Sequence, residues 1–166
     1  MSSGAGTRAG RARIVAIALS PPIMLIVAML IGHGLQRLRP LSFLPESLAG
    51  TGGVVAGPVV VGLAVLIFVI AFRTVRRVGF EIGGKKPTAL LLKSGPYRWS
   101  RNPMYLAMIV FMGGRAIWLN NAWLLVLGVS FLTFLRYTVI KKEEAYLERK
   151  FTHEYREYKA SVRRWL

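Results

Sequence analysis

Residues 94–108 read SGPYRWSRNPMYLAM, and residues 143–158 read EEAYLERKFTHEYREY. The first stretch gathers Tyr97, Arg98, Arg101, Asn102, Pro103 and Tyr105 behind a Gly95-Pro96 turn, and the second opens on two adjacent carboxylates, Glu143 and Glu144. Pro103 suits the first position of a helix, and Asn102 suits the N-cap before it, where its side chain accepts a backbone N–H. A helix starting there offers free N–H groups and a positive dipole end, which favour a carboxylate or phosphate. Arg98 and Arg101 add positive charge, and Arg101 shares a face with Tyr105 if the helix starts slightly early. Glu143 and Glu144 supply the opposite charge. An anion-friendly end facing a cation-friendly end suits a zwitterion such as an amino acid moiety. The same residue types also make a plain membrane anchor, with Asn-Pro as a simple cap and Glu143-Glu144 balanced by Lys141 and Lys142. Periodicity and charge leave both readings open.

The elements that must position these groups are apolar. The chain has 166 residues, 54% of them hydrophobic, with mean hydropathy +0.46, which is high for a water-soluble domain of this length. It has no cysteine, which excludes disulfides, thiolate metal sites and cysteine nucleophiles. It has no aspartate either, so all seven acids are glutamates. A net charge of +16 fits nucleic acid or an anionic membrane surface. The apolar runs decide for the membrane, and no nucleic-acid partner is expected.

One all-α integral membrane domain over 1–166 is expected, with about four spans at 14–31, 53–72, 103–117 and 122–140. Ser20, Pro21 and Pro22 predict a kink or a late helix start in the first span. Arg8, Arg11 and Arg13 resemble the charged region of a signal peptide, but no small-x-small cleavage site follows and further spans do. The last two spans form a hairpin about a tight LNN turn, and Gly113-Gly114 reads as close helix packing. Lys and Arg divide twenty against three: the N-terminal tail, the loop 73–102 and the C-terminal part carry the twenty, while Arg37, Arg39 and Arg115 lie opposite. That asymmetry places both termini and the long loop in the cytoplasm, next to anionic lipids. Residues 141–165 read as one amphipathic cytoplasmic helix, since Leu147, Phe151, Tyr155, Tyr158, Val162 and Trp165 recur on a single face. His33 and His153 stand alone and are read as non-catalytic; no metal site is visible.

The pair of motifs, G-P-Y-R-x-x-R-x-P-x-Y and E-E-x-x-L-x-x-x-F-x-x-x-Y-x-x-Y, resembles the isoprenylcysteine carboxyl methyltransferase family in its short bacterial branch. The SPPIMLIVAML, RPLSFLP, KPTALLLKSGPYR, LNNAW and VRRWL segments occur in the expected order. The resemblance implies an integral membrane enzyme using S-adenosylmethionine, bound under the cytoplasmic ends of the third and fourth spans. It implies that Gly95, Tyr97, Arg98, Arg101, Asn102, Pro103, Tyr105, Glu143 and Glu144 line the site. One glutamate would hold the cofactor's ammonium group and the helix start near Asn102 its carboxylate. The eukaryotic enzymes carry histidine where this chain has Asn102, so a titratable role there is lost. The family often has F-G-x-E-Y where this chain has FTHEY, a change expected to alter a local bend.

Methyl transfer from a sulfonium is an in-line displacement needing alignment and exclusion of water more than acid–base groups. Arg98 or Arg101 would orient an anionic acceptor, and a lipophilic acceptor could enter sideways from the bilayer. A neutral acceptor would need a base, for which the glutamates, Tyr97, Tyr105 and His153 are the candidates. Two other classes compete. A membrane reductase of the sterol type shares an Arg-x-Pro-x-Tyr helix start but uses NADPH. A non-enzymatic protein gathering anionic lipid would explain the charge but not the paired glutamates.

Overall fold

The computed structural model describes residues 20–77 and 91–166. Among these, every regular element is helical, as expected. Helix α1 (Pro21–Leu38) starts at the two prolines after an extended Ser20 and runs past Ile31. The prolines thus mark a late start rather than a kink, because the first turn has no use for the N–H they lack. Residues 14–19 of the expected first span lie outside the described residues.

A single helical turn (Glu46–Ala49) leads into α2 (Thr51–Arg77), which has 27 residues and contains Pro58. It outruns the expected 53–72 at its C-terminal end, where Arg73, Arg76 and Arg77 continue the helix with long stems that carry their charge outward. Helices α3 (Pro103–Leu119) and α4 (Ala122–Phe134) form the hairpin. Its turn works because Asn120 adopts φ 44, ψ 48, a left-handed conformation that asparagine tolerates. The Asn120 Oδ1 accepts the N–H groups of Phe43 and Leu44 at 3.0 and 2.8 Å. Buried Asn121 caps α4 by accepting the Trp123 N–H at 3.0 Å and donates to the Gly32 carbonyl at 3.1 Å. The turn therefore also fastens the segment that follows α1.

After Phe134 the helix widens into a π-helical stretch (Leu135–Ile140) and returns to α-helix as α5 (Lys141–Ser161). Three helical runs, Pro21–Leu38, Thr51–Arg77 and Ala122–Ser161, are long and apolar enough to cross a membrane, and Pro103–Leu119 is a shorter apolar helix. Large aliphatic residues face outward along them, among them Val55, Val59, Leu63 and Leu66 on α2 and Val126 and Val129 on α4. An apolar exterior this continuous belongs against lipid.

Helices α2 and α3 cross at their small residues. A Cβ at Gly57 would collide with the backbone and Cβ of Trp118, and one at Gly114 would come 3.0 Å from the Val61 nitrogen. Backbone cannot yield as a side-chain tip can, so Gly57→Ala must separate the helices. We expect it to lose about 1–3 kcal/mol, read as a lower melting temperature in detergent.

The tail departs from the expected single helix over 141–165. Its apolar face is the one anticipated, with Tyr155 and Tyr158 buried and Leu147, Phe151, Val162 and Trp165 half-buried. Yet α5 ends at Ser161, Val162 turns extended at φ −123, ψ 129, and Thr152 breaks the helix internally at φ 29, ψ −88. A positive φ strains a β-branched residue, and this is the position where FTHEY departs from F-G-x-E-Y. Thr152→Gly should relieve that strain and raise stability by about 1 kcal/mol, again visible as a melting-temperature shift.

Candidate functional site

The 91–102 segment is brought back to the end of α2 by a 3-10 turn (Gly95–Arg98). Gly95 has φ +58, and a Cβ there would meet the Thr74 Oγ1 at 3.0 Å, so conformation and space both call for glycine. The turn seats Tyr97 against Ala71 and Val75 of α2, and the Tyr158 hydroxyl of α5 donates to the Tyr97 carbonyl at 2.6 Å. Thus the loop, the end of α2 and the tail helix form one wall.

The second wall is the start of α3. Asn102 occupies the N-cap position, but its side chain makes no cap bond, which corrects the expectation of a capping asparagine. Its amide instead donates to the Arg164 carbonyl at 3.1 Å, where the Ser100 hydroxyl also donates at 3.2 Å. The Arg101 N–H donates to the Arg163 carbonyl at 3.0 Å. The C-terminal residues form a strap across Ser100–Asn102, and the competing carbonyl draws the asparagine away from the helix end. The first N–H groups of α3 therefore have no side-chain cap.

Between the walls lies a cavity of about 170 Å³ lined by Tyr97, Arg101, Asn102, Tyr105, Glu143 and Glu144, with Val75, Leu91, Leu92, Met104, Leu147, Tyr155 and Tyr158 as its remaining lining. Six of the expected site residues therefore meet. Arg98 and Gly95 do not line it: both are exposed on the 3-10 turn, whereas Arg101 follows that turn, where its N–H is tied to the Arg163 carbonyl, and Tyr105 sits in the first turn of α3. Pro103 is buried behind the wall and sets the helix start. His153 is exposed, 3.7 Å from Glu157, and takes no part.

The charged groups are not equivalent. Glu144 is 9% exposed and receives both ends of the Arg164 guanidinium, Nε at 3.0 Å and Nη2 at 2.7 Å. This fork raises the Arg164 pKa. Arg101 Nη1 reaches 3.4 Å from the same carboxylate, but Arg101 Nε and Nη1 are buried without a hydrogen-bond partner. Glu143 accepts one bond on Oε1 from the Tyr105 hydroxyl at 2.9 Å. It stays open towards solvent, yet the protein packed around it raises its carboxyl pKa by desolvation, which the Tyr105 bond partly opposes. Burial raises the Tyr97 phenol, and pushes Tyr158 up to about 12 against the pull of Arg101. These phenols remain protonated near neutrality. Buried donors without an acceptor face a carboxylate with a free oxygen, the arrangement a zwitterion completes.

The residues that sequence reasoning missed are Arg164 and the apolar lining at Leu91, Leu92 and Met104. Arg164 lies within the VRRWL segment, but nothing local to that segment announces its return to Glu144. The π-helical stretch before Glu143 went unread as well, having no proline or glycine to mark it, although such stretches recur at functional sites.

The family model described as phospholipid methyltransferase matches residues 53–154, which include the first motif and the second as far as Phe151. Of the curated relatives, a Haemophilus influenzae protein described only as uncharacterized is 45% identical over 65 residues, 38% of this chain and all of its own length. The protein-S-isoprenylcysteine O-methyltransferase of Saccharomyces cerevisiae is 37% identical over 78 residues, 47% of this chain. The match spans about a third (33%) of the yeast enzyme's length. No solved structure matches the chain. These findings bear out the resemblance read from the paired motifs.

Proposed function

The chain belongs to the phospholipid methyltransferase family, and we propose that it transfers a methyl group from S-adenosylmethionine to a lipophilic acceptor at the cytoplasmic ends of its spans. The observation that carries this is the buried Arg101 guanidinium, whose Nε and Nη1 have no hydrogen-bond partner, sharing a cavity with Glu143. Arg101 Nε and Nη1, with the uncapped N–H groups of α3, would hold the donor's carboxylate. Glu143 would hold its ammonium through the oxygen that Tyr105 leaves free. S-adenosylmethionine, when bound, supplies an electrophilic methyl group on a sulfonium. A cavity of about 170 Å³ accommodates the amino acid end; typical ligand pockets measure about 300–1,000 Å³, so the adenosine needs the pocket to widen. Tyr97, Met104, Leu147 and Tyr155 exclude water around the reacting groups.

The chain's own groups favour an acceptor that arrives with its electron pair free, a carboxylate or thiolate. Tyr97 and Tyr158 keep their protons, His153 lies elsewhere, and Glu143 is committed to the donor. The acceptor's apolar part would lie in a cleft of about 240 Å³ lined by Leu25, Val65, Phe68, Met108 and Phe111, one to two turns along α3 from Tyr105. The twenty-to-three division of basic residues supports a cytoplasmic site beside anionic lipids. Incubating membranes with methyl-labelled S-adenosylmethionine tests the reading: label should enter a lipid-extractable product. No labelled product, with NADPH binding instead of S-adenosylhomocysteine, would overturn it.

Glu143→Gln isolates the cation end. It should weaken S-adenosylhomocysteine binding by about 1.5–3 kcal/mol without lowering the melting temperature of the unliganded protein. The pH dependence has a definite sign. Ligand ammonium needs ionised Glu143, whose raised pKa makes affinity full above that pKa and lost as pH falls through it. The decline should begin above the ordinary glutamate range of about 4.3 and flatten in the variant. Unliganded stability runs the other way, because a carboxyl with a raised folded-state pKa contributes at low pH and loses that contribution as pH rises through it. Titration calorimetry across pH checks the first statement, and thermal unfolding of the unliganded protein across pH checks the second.

A further inference from the structure

We propose that Arg164 is a positioning residue for the donor site: by occupying Glu144, it keeps the Arg101 guanidinium free for an anionic ligand group. This rests on the reading of the cavity as a methyl-donor site and goes beyond it, since Arg164 lies outside the matched residues 53–154 and does not line the cavity.

Three buried or half-buried charges compete here, with one carboxylate for two guanidinium groups. Glu144 has two oxygens, and the Arg164 fork engages each of them, at 3.0 and 2.7 Å, in the bidentate geometry a second guanidinium would also need. Arg101 is left with a misaligned approach at 3.4 Å, and its Nε and Nη1 stay unsatisfied. A planar guanidinium beside an unoccupied carboxylate would form the bidentate pair itself. Arg101 lacks that pair because Arg164 already has it. The backbone fixes the arrangement: the Arg163 carbonyl is held by the Arg101 N–H at 3.0 Å, and the Arg164 carbonyl by Ser100 and Asn102 at 3.2 and 3.1 Å. Arg164 therefore projects towards Glu144 from a strap tied to the same three residues that carry Arg101. Asn102, drawn off the helix end by this carbonyl, leaves the α3 N–H groups open for the same anion.

Removing Arg164 frees Glu144 to take Arg101 as its bidentate partner without any ligand. Arg164→Ala should fold and should lose affinity for the ligand's carboxylate alone. The experiment compares binding of S-adenosylmethionine and its decarboxylated form, which differ in that one group, to the full-length protein in detergent. The parent should prefer the carboxylated ligand. Arg164→Ala should bind it roughly tenfold or more weakly, the size expected for lost charged hydrogen bonds, with affinity for the decarboxylated ligand unchanged. Arg164→Lys, a single charged contact in place of a fork, should fall between. Equal weakening for both ligands marks Arg164 as merely structural and overturns the proposal, as does parent-like binding of S-adenosylmethionine by Arg164→Ala. A parent that binds neither ligand refutes the methyl-donor reading itself, an outcome distinct from those two.

Discussion

Glu144→Ala is expected to destabilise the protein by about 3–5 kcal/mol, the cost of removing one partner from a buried ion pair. Its carboxylate is the anion for both Arg101 and Arg164 at 3.4 and 2.7 Å, and the Arg101 side chain is only 9% exposed. Alanine would leave two neighbouring cations, one of them buried, without the carboxylate that both of them pair with. Glu148 is the control. It pairs with Lys159 at 3.3 Å on the exposed face of α5, where such a pair contributes at most about 1 kcal/mol. Unfolding in detergent should therefore separate Glu144→Ala from Glu148→Ala by several kcal/mol. Equal losses would show that the Glu144 cluster is not desolvated as described. On the proposed reading the two adjacent glutamates divide their work: Glu144 holds the architecture, and Glu143 would face the ligand. Lost activity in Glu144→Ala would not by itself report a cofactor contact.

That division marks where the sequence stopped being legible. Runs of apolar residues bounded by Pro21, Pro103 and the LNN turn foretold the helices because those signals are local: a missing N–H, a left-handed turn residue, a stretch without charge. The facing of Arg101, Tyr105, Glu143 and Glu144 was legible as well, since pairing an anion-friendly helix start with a nearby acidic helix start needs only the spans to be antiparallel. Arg98 was misjudged because two basic residues three apart look alike until the helix start is fixed; the 3-10 turn sets Arg98 outside it. Asn102 looked like a cap because asparagine before proline usually is one. What displaced it is a carbonyl 62 residues away, delivered by the end of α5 at Ser161. No periodicity encodes that return, which depends on where a helix stops and on backbone acceptors rather than side-chain type.

Arg101→Met is expected to do two opposite things at once. Arg101 Nε and Nη1 are buried without acceptors, and each unsatisfied buried donor costs about 1–3 kcal/mol, more where the group is charged. Methionine fills much of the same length with flexible apolar atoms, while Glu144 keeps its full bond to Arg164. Glu144 and Arg164 then remain as a fully paired carboxylate and guanidinium. The unliganded protein should become more stable, by about 1–3 kcal/mol. The same change removes the donors meant for the ligand carboxylate, so S-adenosylhomocysteine affinity should fall roughly tenfold to a hundredfold. A purely structural arginine predicts the reverse sign for stability, because its loss would break a network that the fold needs. Melting temperature and ligand affinity, measured on one preparation, decide between these. A less stable Arg101→Met that still binds the ligand like the parent would sink the assignment of Arg101 to the ligand. A stabilised variant that no longer binds would show that the fold tolerates a buried, unsatisfied charge at this position because the ligand completes it.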